Sequence, residues 1–365
     1  MKCCIVHFPF RIEEGATSAS GIRPAQMLDA FRSLGFNVDV VSGSSKERRK
    51  AIEEIKKNIK RGVRYDFLYS ESSTMPTALT EKHHFPVSPF LDYGFFRVCK
   101  REGIPCFLFY RDIYWAFSEY SDKVGWLKAL FAKFFYICDL WMYRMTIDRL
   151  YLPSLEMGEY IPIYPKGKMD ELPPAHSREL NDSDMNEDRS NEGLQLFYVG
   201  GVSEHYKMHE LFEAAKLVSG IKITICTRRE EWLSVQHEYS PIPDVVNIIH
   251  ASGRDMYAIL EQSDIALLYV EPHTYRDFAV PLKMYEYLGF GKPIIASSGT
   301  LAGSYVAKAT IGWSIPYASQ DLVNLLQFLT SNPNEVRVIK ESVLSTAKEN
   351  TWLERARKVE KDAEL

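Results

Sequence analysis

Lys283 and Glu286 are the two residues whose types and spacing carry the most chemistry in this chain. They lie in a block running Pro281-Leu282-Lys283-Met284-Tyr285-Glu286-Tyr287-Leu288-Gly289-Phe290-Gly291-Lys292-Pro293-Ile294-Ile295-Ala296. Pro281 suits the first turn of a short helix, Gly289 and Gly291 suit its end, and a buried strand follows. Residues three apart share a helical face. Near the start of such a helix a carboxylate can accept both hydroxyls of a ribose. A lysine with the free N–H groups of the first turn can hold a diphosphate. A salt bridge between the two is the other reading of the same spacing.

Three more places put polar chemistry directly after an apolar run. Phe197-Tyr198-Val199 enters Gly200-Gly201, where missing side chains allow close backbone approach, and Lys207 follows as a phosphate candidate. Ile221 to Cys226 leads to Thr227-Arg228, a second phosphate candidate, with Glu230 and Glu231 as alternative partners. Pro105 to Tyr110 leads to Arg111-Asp112, with Asp112 read as a base or a contact to a sugar hydroxyl, or the two as an ion pair capping the strand end. Near the N-terminus a loop from Arg11 to Gly21 holds Gly15, Ser18, Ser20 and Gly21. Ser20 is a candidate N-cap there, and Pro24 falls in the first helical turn, an arrangement that suits an anion.

These residues need elements to hold them. In the first half, strands are expected at Cys3–Phe8, Val38–Val41, Asp66–Tyr69, Pro105–Tyr110 and Arg149–Leu152. Helices are expected between them near Pro24–Leu34, Lys46–Arg61, Phe90–Arg101 and Gly125–Thr146. In the second half, strands are expected at Gln195–Val199, Ile221–Cys226, Val245–Ile249, Ile265–Val270, Pro293–Ala296 and Gly312–Ile315. Apolar strands alternating with helices mean parallel sheets covered on both faces. The two series are separated by 175–193, rich in Asp, Glu, Asn and Ser and too polar to order itself. The reading is α/β: two Rossmann-like, doubly wound domains facing a cleft. The divisions fall at 1–165, a linker at 166–193, 194–345, and a C-terminal helix at 346–365 that returns to the first domain. Ligands of such sheets bind outside the carboxyl ends of the strands.

The chain has 365 residues, enough for two domains, and its net charge of -4 gives no nucleic-acid signature. Six cysteines without a C-x-x-C pair, mostly inside apolar runs, read as free thiols in a reducing, cytoplasmic setting. No stretch reaches the roughly 20 apolar residues of a membrane span. Residues 125–146 carry many aromatics with Lys128, Lys133 and Arg144, and read as a core-packed helix or as a peripheral contact with the inner face of a membrane.

The Lys283 block resembles the donor-site helix of family 4 and group 1 nucleotide-sugar glycosyltransferases of the glycosyltransferase-B fold. Their pattern is approximately P-x-K-x-x-E-Y-L-x-x-G-K-P-V-I. Pro281, Lys283, Glu286, Tyr287, Leu288, Gly291, Lys292 and Pro293 match it in register. Phe197 to Gly201 resembles the strand and turn that open the family's donor domain, and Trp352 to Ala356 its C-terminal crossing helix. Arg254-Asp255-Met256-Tyr257 resembles the stretch that reaches the donor base. The resemblance implies that Glu286 holds the ribose and that Arg228, Lys283 and Lys207 hold the diphosphate. It further implies transfer of a sugar from a nucleotide-diphosphate donor to a saccharide or lipid-linked acceptor, without a metal cofactor and with retention, in cell-surface polysaccharide assembly. The family's first donor-site glutamate, eight positions before the second, is Phe278 here, with Asp277 beside it as the substitute candidate. The family's acceptor-side His-Asp appears as Arg111-Asp112. Two alternatives go with the same fold: a nucleotide-sugar 2-epimerase and a non-catalytic nucleotide-binding partner subunit.

Overall fold

The computed structural model describes residues 2–12, 19–179, 193–202, 206–273, 277–278 and 280–364. Gly15 and Ser18 of the first loop, most of the polar linker, and Tyr275, Arg276 and Ala279 lie outside these residues. The chain forms two compact units, Met1–Pro174 with Trp352–Leu365, and Ala175–Thr351.

Unit 1 runs β1 (Cys3–His7), α1 (Ala19–Ser33), β2 (Asn37–Val41), α2 (Ser45–Lys60), β3 (Phe67–Glu71), α3 (Leu91–Arg101), β4 (Cys106–Phe109), α4 (Ser118–Val124), α5 (Trp126–Thr146), β5 (Arg149–Leu152) and β6 (Met169–Glu171). Among the described residues these strands form one six-stranded sheet in the order β2-β1-β3-β4-β5-β6, with every pairing parallel. β1, β3 and β4 are buried at every position, as strands covered on both faces must be. Two local details differ from the sequence reading. α1 begins at Ala19, so Ser20 lies inside the helix rather than capping it, and Pro24 sits beyond the first turn. Residues 166–174, expected in the linker, belong to unit 1 and supply β6.

Unit 2 runs β7 (Leu194–Val199), α6 (His209–Ala215), β8 (Ile221–Cys226), α7 (Arg229–Val235), β9 (Val246–Ile249), α8 (Gly253–Glu261), β10 (Ile265–Leu268), α9 (Leu282–Gly289), β11 (Ile294–Ser297), α10 (Leu301–Lys308), β12 (Gly312–Ile315), α11 (Ser319–Ser331) and α12 (Pro333–Lys348). Its strands pair in parallel in the order β12-β11-β10-β7-β8-β9. α6, α7 and α11 pack on one face, through Phe212, Trp232 and Leu326. α8, α9, α10 and α12 pack on the other, through Leu260, Tyr285, Val306 and Val343.

The last helix, α13 (Trp352–Ala363), packs in unit 1. Its Asp362 accepts from the Tyr151 hydroxyl at 2.6 Å and pairs with Arg149 at 2.9 Å. Arg355 donates to the carbonyls of Pro173 and Pro174, each at 3.0 Å.

One buried group makes unit 1 sensitive to pH. Asp139, on the inner face of α5, accepts from the Thr77 N–H at 2.8 Å and from the Tyr93 hydroxyl. Burial nonetheless pushes its carboxyl up from 3.8 to about 7. A carboxyl raised on folding binds its proton more tightly in the folded state. Its contribution is therefore complete below pH 3.8 and is lost as pH rises through about 7. Denaturant midpoints are expected to fall between pH 5 and pH 8, and Asp139→Asn is expected to flatten that fall; an unchanged slope in the variant would refute the assignment.

Candidate functional site

In unit 2 the strand order reverses between β7 and β10: β8 and β9 continue on one side of β7, while β10, β11 and β12 lie on the other. A crevice opens at the carboxyl ends of the strands where such a reversal occurs. The loops after β7, β8 and β10 meet there because these three strands are neighbours in one parallel sheet.

α9 is fixed over this edge by its buried side. The Tyr287 hydroxyl, fully buried, accepts the N–H of Val199, the last residue of β7, at 3.0 Å. Met284, Tyr285 and Leu288 fill the core beside it. Gly291 ends the helix at φ +63°, and a Cβ there would stand 3.0 Å from Leu344. Lys292, 6% exposed, donates its ammonium to the carbonyls of Glu261 at 2.9 Å and Ser263 at 2.7 Å, which closes the carboxyl end of α8. The Gly-Lys-Pro end of the block is thus a positioning device. Removing the Tyr287 hydroxyl leaves a buried N–H unpaired, so Tyr287→Phe is expected to lose about 1–3 kcal/mol in chemical denaturation. A loss below about 0.3 kcal/mol would mean that the bond does not position α9.

The outward side of α9 presents Lys283 and Glu286, joined by an ion pair at 2.8 Å and partly exposed. No side chain caps the first turn of this helix among the described residues. Both charges act on neighbouring groups. Burial raises the Cys226 thiol at the end of β8, and the Lys283 charge works against that rise. Burial raises the Tyr257 phenol, and the Glu286 carboxylate adds to it. Tyr257, on α8, keeps 37% of its surface and stacks on Phe290 at 5.2 Å between ring centroids. Its neighbour Met256 turns into the core, 6% exposed, and so presents no side chain to a ligand. Phe278 is likewise buried at 1%, whereas Asp277 beside it is exposed.

After β7 the chain turns at Gly200 and Gly201. A Cβ on Gly200 would lie 2.7 Å from the Tyr198 hydroxyl, and one on Gly201 would lie 2.8 Å from Glu231. The Glu231 carboxylate accepts the Val202 N–H at 3.0 Å, and the Tyr198 hydroxyl donates to the Gly201 carbonyl at 2.6 Å. A side chain at either position would have to displace one of these hydrogen-bonded groups. The Lys207 carbonyl accepts from the Glu271 N–H at 3.0 Å and the Tyr317 hydroxyl at 2.9 Å, which ties it to the segments following β10 and β12. Arg228 stands at the N-cap of α7, exposed. Neither the Lys207 ammonium nor the Arg228 guanidinium has an ion-pair partner among the described residues. Lys283, Arg228 and Lys207 thus follow three adjacent strands at one sheet edge. Among the described residues no three His, Cys, Asp or Glu side chains converge as a metal-binding group.

Unit 1 has its own reversal, between β1 and β3. Arg111, after β4, pairs with Glu71 at 3.0 Å and donates through Nε to the Ser72 carbonyl at 3.2 Å; burial lowers its pKa. Asp112 accepts from the N–H groups of Ile113 at 2.7 Å and Tyr114 at 3.0 Å, so it caps a short turn at the end of β4. Gly21, in the first turn of α1, is half-buried.

The sequence reading missed the group at the centre of this edge. Glu71, fully buried at the end of β3, also pairs with Arg23 at 3.3 Å and accepts from the Tyr69 hydroxyl at 2.8 Å. The Arg23 guanidinium lies 3.4 Å above the Phe109 ring. A second buried network runs from Ser70 through His7 to Asp92, each step 2.8 Å, with Arg48 bidentate on Asp92. A glutamate ending the buried strand β3, and a histidine ending β1, were the available signals.

Residues 182–344 match the family model described as glycosyl transferases group 1. No curated protein matches the sequence. Among solved structures, the Anabaena protein HepE in complex with UDP-glucose is similar over 99% of this chain and 100% of its own, with TM-score 0.64 and 11% identity. Sucrose-phosphate synthase from Thermosynechococcus elongatus is similar over 100% and 98%, with TM-score 0.64 and 12% identity. The lipopolysaccharide outer core galactosyltransferase WaaB is similar over 100% of both chains, with TM-score 0.58 and 12% identity. At such identities the likeness is one of fold: the two-domain, Rossmann-like glycosyltransferase-B architecture expected from the sequence.

Proposed function

We propose that this chain, whose second unit carries a group 1 glycosyl transferase domain, transfers a sugar from a nucleotide-diphosphate donor to a saccharide or lipid-linked acceptor. The observation that carries this is the Lys283–Glu286 pair on the outward face of α9, at the strand-order reversal of unit 2. Glu286 accepts the two ribose hydroxyls. The half-exposed Tyr257 ring, stacked on Phe290, offers an apolar platform to the base. Lys283, Arg228 and Lys207, with the first-turn amides of α9, bind the diphosphate.

The chemistry follows from these roles. As the bond from the sugar to the diphosphate breaks, negative charge grows on the leaving oxygens. Fixed cations and amides at that point stabilise it more than they stabilise the bound donor. The reading needs no metal, because three side-chain cations and a helix N-terminus are at hand for the leaving group. Asp277 is exposed and adjacent to the position where the family has its first glutamate, and is the proposed contact to the transferring sugar, with retention of configuration. Asp112 and Arg111, with Gly21, are proposed to serve the acceptor. The setting proposed is cell-surface polysaccharide assembly on the cytoplasmic side of a membrane.

The second reading is a nucleotide-binding partner subunit without turnover. Phe278, buried where the family has a carboxylate, is the observation that favours it. Calorimetric titration with UDP, GDP and ADP tests the shared part of both readings. Binding of one nucleotide is expected, weakened about 10–150-fold by Glu286→Ala, as loss of hydrogen bonds to a charged group implies. Binding of none would contradict both.

A further inference from the structure

α5 is apolar on both faces, and only one of them is covered. Ala129, Ala132, Tyr136, Leu140 and Tyr143 are buried in unit 1. Trp126, Leu130, Phe131, Phe134, Trp141 and Met145 are between 49% and 70% exposed. At about 100° per residue these six positions fall within one arc of about 140°, opposite the buried set, along about 29 Å of helix. A helix apolar all round belongs in a core or against a membrane, and contiguous exposed patches of this kind mark interaction sites.

The charges choose between occupants. Asp139 is the one acidic residue of α5, and it is 4% exposed on the inner side. Among the residues of α5 itself the exposed stripe is therefore bordered by cations, Lys128 on one side, Lys133 on the other and Arg144 near its carboxyl end, while Glu119 and Asp122 lie on the preceding α4 beside Lys123. Trp126 and Trp141 sit towards its two ends. Docking against a second copy of the same face would set cation against cation across a two-fold axis. Among the described residues no helix is long and apolar enough to cross a membrane.

We propose that α5 is an interfacial membrane anchor that lies in the plane of an anionic bilayer, its aromatic stripe in the acyl boundary and its lysines at the lipid phosphates. The inference rests on the exposed face and is independent of the donor chemistry in unit 2.

Flotation of the full chain with vesicles tests it. Co-flotation is expected with phosphatidylglycerol–phosphatidylcholine vesicles, at least about tenfold stronger than with phosphatidylcholine alone. Phe131→Asp with Phe134→Asp is expected to abolish it while the chain still unfolds cooperatively, since both rings are half-exposed or more and touch Phe135 rather than the core. Lys128→Glu with Lys133→Glu is expected to erase the preference for anionic vesicles, and Glu286→Ala is expected to float like the parent. No co-flotation at low salt would overturn the proposal. So would a concentration-dependent dimer, dissolved by the two Phe substitutions, in a chain that ignores vesicles; that result would assign the face to a second copy.

Discussion

Lys283→Met is expected to lower kcat by about 10²–10³-fold, the usual effect of removing one preorganised donor from a developing negative charge. KM for the donor should move less, because the charge on the leaving diphosphate grows only as the bond breaks. The ion pair with Glu286 at 2.8 Å does not stand against this role. A helical pair three residues apart contributes only about 0.2–0.5 kcal/mol, so exchanging it for a diphosphate costs little. On the proposed role, a bound donor would separate the two side chains that the pair holds together. If the pair were only a surface salt bridge, the variant would lose a few tenths of a kcal/mol of stability and keep its kcat. Steady-state kinetics beside a denaturation curve distinguish the two results.

Glu71→Ala is expected to be the most destabilising single substitution in unit 1, by about 3–5 kcal/mol, the penalty for stripping a buried ion pair of one partner. Glu71 is fully buried and is the carboxylate shared by Arg23 and Arg111. Nε and Nη2 of Arg23 already lack hydrogen-bond partners. Without Glu71 two guanidinium groups would face each other in a site too dry to screen them. For a unit of this size such a loss lowers the thermal midpoint by about 6–20 °C. Glu71→Gln, which keeps shape and acceptor but not charge, should fall between the variant and the parent. A midpoint within 2 °C of the parent for Glu71→Ala would show that the cluster is wetter or looser than described.

The fold was legible where periodicity is strong. Eleven strands read from apolar runs lie on observed strands, because in a covered parallel sheet each strand is a short, nearly unbroken apolar segment. β6 was not legible. Met169-Asp170-Glu171 is a three-residue edge strand with two acids, held by pairing with β5 and by Asp170 against Lys358 at 2.6 Å, and no apolar run marks it. Which face of a helix points outward was also beyond local pattern. Met256 and Tyr257 are neighbours on α8, about 100° apart around the axis, yet one fills the core and the other stays half-open. The same limit hid the bare face of α5, whose inward and outward sides are both aromatic. Lys283, Glu286 and the glycine turn were legible because a tight turn, a helix start and a buried strand had to follow one another at fixed spacing. Lys292 matched the same pattern, but its work, capping α8, appears only when the two helices are seen side by side. Glu71 gave its signal as a lone acid in a buried strand, and its partners Arg23 and Arg111 lie 48 and 40 residues away in sequence.

The claim on which this account turns is that the Glu286 edge of unit 2 holds a nucleotide sugar for transfer. The most direct test is release of nucleoside diphosphate from a panel of nucleotide sugars, in EDTA, with the parent chain and with Glu286→Ala, each supplied with a panel of saccharide and lipid-linked acceptors. Release from one donor is expected, undiminished by EDTA and lost in the variant. Release that continues unchanged in Glu286→Ala, or that stops when EDTA is added, would contradict it.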